Sequence, residues 1–256
     1  MRTKHALQFC RLLGLLGAVL TAGISCVSPQ HASAPGRAEP LDILVLTGGH
    51  GFEQQPFYEM FSAMEGLRTA FAELDQQSRY WETLQAGDAD VIVMYHMRQQ
   101  ITDKAKANLL ALCEKGTGFV VLHHSICAYN DWDAYRKLVG AAYLHQPRTI
   151  DGTVVEPGTY KHDVAVPVHI AASHPVTAGL ADFELFDEGY KGCWFEPDNT
   201  VLLTTTQPAS DPVIGWVRTF RNSRVCTLQS GHGKDTFDNP AYRRLVQQAI
   251  VWAAGR

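Results

Sequence analysis

GTGFVVLHHS (residues 116–125) is the stretch on which the fold turns. Phe119 to Leu122 form an apolar run without polar alternation, the mark of a strand buried on both faces, and such strands belong to parallel sheets. Two upstream stretches read the same way. LDILVLTGG (41–49) is apolar until it meets Gly48-Gly49, and DVIVMYH (90–96) is apolar throughout. Between them Phe57, Met60, Phe61, Met64, Leu67, Phe71 and Leu74 recur at helical spacing behind Pro56, predicting a helix over 55–75, followed by a short strand at 78–82 (SRYWE). Thr102 caps a helix over 103–115, with Ala105, Leu109, Leu112 and Cys113 on one face and Gly116 at its stop. Beyond the deciding strand lies a helical stretch near 131–140. Three βα units in succession predict an α/β fold around an open, doubly wound, mostly parallel sheet.

The pattern then loosens. His162 to Ile170 alternate like a half-exposed strand, and HPVTAGL (174–180) reads as a turn. Strands follow at 201–206, 213–219 and 224–229, the last two joined through Arg221-Asn222-Ser223 as an antiparallel C-terminal hairpin. Asn239-Pro240 opens a final helix over 240–254 that packs Leu245, Ile250 and Trp252.

Composition narrows the function classes. With 46% hydrophobic and 19% charged residues the chain is an ordinary globular protein. Its net charge of −4, with the basic residues scattered, excludes nucleic acid as a partner, because phosphate neutralisation needs a basic stripe. Residues 1–25 differ from the rest: Arg2, Lys4 and Arg11 without an acid precede the apolar run Leu12 to Ile24, too short to span a bilayer. They read as a signal peptide. Cys26 follows Gly23-Ile24-Ser25, which resembles the lipobox of bacterial lipoproteins, so export with a lipid anchor on Cys26 is expected, free secretion being the alternative. Residues 26–40 read as a flexible Pro/Ser/Ala tether carrying His31, and 41–256 as the domain. Cys113, Cys127, Cys193 and Cys226 show no metal spacing and read as small buried hydrophobes.

Histidines mark the chemistry. His50, His96, His123, His124 and His232 each stand at or just past the end of an expected strand, and in an open α/β sheet ligands bind outside the carboxyl ends of the strands. His96 is the weakest member, placed near the sheet edge, while His162 and His169 read as structural. His123 and His124 on an extended segment point to opposite faces, so one leads into the pocket unless a sharp turn intervenes. Their position is a strand–turn–helix elbow, where hydrolases mount a nucleophile. Here the elbow carries His, which suits proton transfer or metal binding and gives poor support to acyl-enzyme chemistry. Glu188 in FDEGY (186–190) stands among aromatic and apolar residues as the acidic partner; Asp187 beside it reads as a structural cap, and Glu53 as first-turn acid of its helix. Glycines on either side of His232 (GHG, 231–233) let the backbone approach a ligand.

No helix offers HxxxH or HExxH, so zinc or another divalent ion would need ligands from separate loops, for example His50, His123 and His232. The absence of GxGxxG and P-loop motifs speaks against a nucleotide cofactor. Tyr95, Tyr129, Trp132, Tyr143, Tyr190 and Trp194 are aromatic candidates for a sugar face, Tyr190 and Trp194 being preferred.

Taken in order, LVLTGGHGFEQQP, GFVVLHHS, YNDWDAYRKLVGAAYLHQP, SHPVTAGL, FDEGY, PVIGWVRTFRNSRVCTLQSGHG and AIVWAAGR resemble the ThuA-like (trehalose utilisation) family over about residues 41–256. The resemblance implies a flavodoxin or class I glutamine amidotransferase-like fold with His123 at the elbow place of the amidotransferase Cys and His232 near the place of its His. His50, His145, His174, Glu188 and Tyr190 fall on further motif positions. The second His of LHHS departs from the family pattern, as does GHGF where a GHD-like start is usual. The family further implies sugar catabolism through 3-keto-glycosides. Together these readings give an exported carbohydrate-processing enzyme in which His123, His232 and Glu188 are catalytic and His50, His124, His145 and Tyr190 bind substrate. A non-catalytic sugar-binding lipoprotein and a metal-dependent hydrolase are the alternatives.

Overall fold

The structure, a computed structural model, describes residues 39–256. The signal peptide, Cys26 and nearly all of the tether lie outside the described residues. Among those described, no helix is long and apolar enough to cross a membrane.

The strands are β1 (Leu41–Gly48), β2 (Leu67–Glu73), β3 (Val91–His96), β4 (Gly118–Leu122), β5 (Ala141–Ala142), β6 (Arg148–Ile150), β7 (Thr153–Val155), β8 (Thr159–Ile170), β9 (Phe183–Lys191), β10 (Trp194–Phe195), β11 (Thr200–Thr204), β12 (Val213–Phe220) and β13 (Ser223–Leu228). The helices are α1 (Gln54–Ser62), α2 (Asp103–Glu114), α3 (Asp133–Val139), α4 (Lys234–Asp238) and α5 (Pro240–Ala253). Nine strands form one sheet in the order β2-β1-β3-β4-β13-β12-β11-β8-β9, and two small antiparallel pairs, β10-β5 and β6-β7, lie apart from it. From β2 to β13 every pairing is parallel. From β13 onward every pairing is antiparallel, which sets only β12 and β8 against the common direction. The sheet is therefore mostly parallel, with an antiparallel part larger than the C-terminal hairpin alone.

Both faces are covered, which is why β4 has no polar alternation. Val120 and Leu122 join Phe57, Leu245 and Ile250 in one buried cluster, while Phe119 and Val121 join Leu109, Leu112 and Leu138 in another. Thr102 accepts from the Ala105 N–H as the cap of α2, and the Asn239 carboxamide accepts from Ala241 and Tyr242 at the start of α5. Cys113, Cys127, Cys193 and Cys226 are free thiols, all but Cys193 fully buried.

Three local expectations are corrected. The helix over 55–75 ends at Ser62: Gly66, at φ +78°, turns the chain, and residues 67–73 become edge strand β2, parallel to β1. The helical spacing of Leu67, Phe71 and Leu74 coincided with the alternation of a strand exposed on its outer side. Residues 79–83 form a 3-10 turn in place of a strand, entered through Ser78 at φ +54°, because Trp81 is fully buried with its Nε1–H donating to the Tyr129 hydroxyl. β3 has neighbours on both sides, so His96 lies inside the sheet, not near its edge.

The β8–β9 ribbon positions the site. β8 pairs with β11 only at Ile170 and His169, then leaves the sheet with β9 alongside it, carrying the Thr159/Lys191 end back across the parallel strands. Two residues, His162 and Asp163, lie opposite one residue, Glu188, between the pairs Lys161↔Gly189 and Val164↔Asp187. Asp163 takes φ +56°, so this is a β-bulge, and bulges re-aim side chains.

Candidate functional site

β4 delivers His123 at its carboxyl end. The residue takes φ +50°, a conformation uncommon for a non-glycine residue, and a 3-10 turn (His123–Cys127) follows at once. His123 Nδ1 lies 2.9 Å from the Gln229 carbonyl. A carbonyl only accepts, so Nδ1 carries the proton and Nε2 presents its lone pair inward when the ring is neutral. Nε2 lies 3.1 Å from the Tyr190 hydroxyl and 3.3 Å from Glu188 Oε2. The neutral ring accepts from Tyr190, and the protonated ring donates to the carboxylate.

Glu188 collects three imidazoles. Oε2 faces His123, while Oε1 meets His162 Nδ1 in an ion-pair contact and lies 3.4 Å from His232 Nδ1. Burial disfavours its charge, but the His123 hydrogen bond and the nearby His123, His232 and His162 outweigh burial and hold the carboxyl at about 2, so it is ionised at neutral pH. Burial lowers the pKa of His232, with Glu188 partly opposing. The Tyr190 hydroxyl is pushed well above its usual range, first by burial and then by Cys127 and Glu188. It therefore acts as a donor.

The loop bearing His232 is clamped by Asp187. Its carboxylate accepts from the Gly231 N–H (2.7 Å), the His232 N–H (3.1 Å) and the Thr236 hydroxyl (2.7 Å). Gly231 stands at φ +134°, and a Cβ there would meet the Tyr242 hydroxyl at 2.5 Å, so only glycine lets the loop approach this closely.

A cavity of about 260 Å³ opens over this cluster. Glu188 and Tyr190 form its floor, and His50, His145, His162 and Tyr143 are among its walls. The imidazoles of His50, His124, His123, His232 and His162 make one continuous run, with ring centroids 4.7, 5.3, 5.4 and 5.0 Å apart in that order. Such an arrangement offers hydrogen-bond donors and acceptors side by side and can bind a cation.

A family model described as ThuA, trehalose utilisation, matches residues 42–253. The chain belongs to the ThuA family. Among solved structures, a ThuA-like protein from Parabacteroides merdae superposes with a TM-score of 0.68 at 17% identity, covering 84% of this chain and 90% of that one. A ThuA-like protein from Bacteroides uniformis gives 0.63 at 21% identity over 86% and 94%. A cytoplasmic protein from Salmonella typhimurium gives 0.56 at 11% over 83% and 99%. At these identities the likenesses establish the shared fold. No curated protein matches the chain.

Within this ThuA domain the residues expected at the site are distributed unevenly. Glu188, Tyr190, His50 and His145 line the cavity, and His232 stands behind it, 3.4 Å from Glu188. His123 is itself only 1% exposed and reaches the cavity through Glu188 and Tyr190. His124 is corrected: it is buried behind the site, packed 4.3 Å from the Tyr95 ring, with neither nitrogen hydrogen-bonded, and does not line the cavity. The turn at His123 bends the chain, but the second ring goes inward. Burial, then the neighbouring His123 and His50, keeps it neutral. His174 caps a 3-10 turn by accepting from Val176 and packs on Trp252. Trp194 stacks with Arg136 away from the cavity, and Tyr143 takes the wall position. Glu53 accepts from the Lys234 N–H at 2.6 Å, tying α1 to the start of α4.

His162 was missed, because strict alternation made it part of a half-exposed strand; the bulge at Asp163 points it at Glu188. No local signal announces that bulge. Ser125, just past the elbow, is held by His96: its hydroxyl donates to the His96 carbonyl and accepts from the His96 N–H. It serves the turn and is not poised as a nucleophile.

Proposed function

We propose that this ThuA-family protein is an exported, lipid-anchored enzyme that processes a carbohydrate of the 3-keto-glycoside class by proton transfer. The observation that carries the reading is an ionised carboxylate, Glu188, set in a cavity floor with three imidazoles on its oxygens. A keto group at C3 acidifies the proton on C2, and the ionised Glu188 carboxylate, with imidazoles on both oxygens to pass the proton on, is placed to take it. The C2–H bond breaks, its electron pair forms the enediolate, and His232, beside Glu188, donates to the developing oxyanion. Reprotonation then completes an isomerisation or epimerisation. Alternatively the electrons expel the C1 substituent as a β-elimination, with an imidazolium protonating the leaving oxygen. His123, itself held by the Tyr190 hydroxyl, fixes the orientation of Glu188, and Tyr143, Tyr160 and His145 offer the aromatic and polar contacts that sugar rings take.

All three outcomes share the first step, so the test is exchange of the C2 proton of a 3-keto-glucoside in D2O, followed by NMR. The expected result is protein-catalysed exchange that Glu188→Gln lowers by about 100-fold or more. Binding without exchange would make the protein a non-catalytic sugar-binding member and overturn the enzymatic reading. Export and anchoring are tested separately by mass analysis of the mature chain for a diacylglyceryl group on Cys26.

A further inference from the structure

We propose that His123, Glu188 and His232 form a binding site for a divalent transition-metal ion, with zinc as its natural probe. Two observations point there. One ligand atom from each of the three lies within 4.8 Å of the other two, and no other triad of His, Cys, Asp or Glu among the described residues does this. The two imidazoles bracket one carboxylate, His123 Nε2 at 3.3 Å from Glu188 Oε2 and His232 Nδ1 at 3.4 Å from Glu188 Oε1. The second observation is His232 Nδ1 itself, which is buried and makes no hydrogen bond. A buried polar atom left without a partner is costly, and a cation would satisfy it.

The surrounding residues complete the argument. A ligating imidazole needs its other nitrogen tied down, and His123 Nδ1 donates to the Gln229 carbonyl, so Nε2 is the binding atom, with the cation taking the place of the hydrogen bond it accepts from the Tyr190 hydroxyl. A ligating carboxylate is itself hydrogen-bonded in such sites, and His162 occupies that place on Oε1 of Glu188. Asp187 holds the backbone of His232 at 3.1 Å. Two histidines and one glutamate, of which Glu188 borders the cavity, make the ligand count of a catalytic, not a structural, zinc site. This set differs from the one expected from the sequence: His50 stands on the far side of His124, and Glu188 replaces it.

The inference rests on the reading of the cavity as a sugar site and reassigns roles within it. With the cation bound, positive charge at the floor meets the developing oxyanion, Glu188 and His123 act as ligands, and proton removal passes to the exposed imidazoles of the wall, His50 or His145.

The test is zinc titration of the chelator-stripped mature protein, by calorimetry and by competition with a chromophoric chelator, with cobalt(II) absorption reporting tetrahedral geometry. One equivalent is expected. Glu188→Gln and His232→Ala should each weaken it by 100-fold or more. His162→Ala should weaken it by about 10–100-fold, as loss of an outer hydrogen bond does. His145→Ala, in the cavity wall but outside the triad, should leave affinity unchanged. Thermal melts of each variant, and His232→Gln beside His232→Ala, separate lost ligands from lost folding. Absence of stoichiometric zinc, or zinc held equally by folded Glu188→Gln and His232→Ala variants, overturns the inference. C2-proton exchange by the stripped protein would leave the sugar reading standing without the metal, and zinc binding without exchange would do the reverse.

Discussion

Glu188 on β9 and His123 at the end of β4 are separated by four intervening strands in the sheet order, yet Glu188 Oε2 lies 3.3 Å from His123 Nε2. The contact exists because the β8–β9 ribbon leaves the sheet after two residue pairs with β11 and folds back over the parallel strands. The pair also couples the site to stability. The Glu188 carboxyl ionises at about 2 in the folded chain against an ordinary 4.5, so its stabilisation is complete above pH 4.5 and is lost as pH falls toward 2. Unfolding followed by denaturant at several pH values should find wild type more stable than Glu188→Gln at neutral pH in metal-free buffer. The gap should close across that window.

Tyr190→Phe removes only the hydroxyl that donates to His123 Nε2. The ring still stacks on His123 at 5.0 Å, so the fold should persist with a melting temperature within a few degrees of wild type. Proton-exchange activity should fall about 10-fold or more. Unchanged activity would remove Tyr190 from the site.

His96 predicts a second pH effect, independent of the site. It is fully buried against Trp81, Tyr129 and Tyr135 with both ring nitrogens unpaired, and burial, then Arg98, lowers its pKa to about 3. The unfolded chain binds a proton there below pH 6.5 and the folded chain does not. Stability should therefore decline as pH falls from 6.5 to 3, by up to about 1.4 kcal/mol per pH unit from this group. His96→Leu should flatten that slope and be near neutral at pH 7, since it removes unpaired polar atoms.

Asp187→Ala should be the most damaging change near the site. Four donors, the Glu188, Gly231 and His232 N–H groups and the Thr236 hydroxyl, lose their acceptor, all but the His232 N–H buried. A loss of about 2–4 kcal/mol is expected by denaturant melts, with hydrogen exchange rising first in the 230–236 loop.

Gly118→Ala tests the packing of the last helix on the central strand. A Cβ at 118 would lie 2.4 Å from the Ala253 carbonyl oxygen, which is backbone and cannot swing aside. A destabilisation of about 1–3 kcal/mol is expected.

Fold class, and the end of the sheet at which the site lies, were readable from the residues alone. Continuous apolar runs at 41–47, 90–95 and 119–122 can only be strands covered on both faces, and histidines that follow such strands must gather at one end of the sheet. His50, His123 and His232 were legible for that reason, and Glu188 from its apolar setting. Tertiary structure decided what no spacing encodes. Residues 67–73 became a strand because Gly66 turns the chain onto the free edge of β1, although their apolar period fits a helix. The bulge at His162 and Asp163 set one imidazole on Glu188, and the φ of His123 sent His124 into the core. Side-chain direction there depends on single backbone torsions and on a ribbon docked across the sheet, long-range contacts that hydrophobic periodicity does not record.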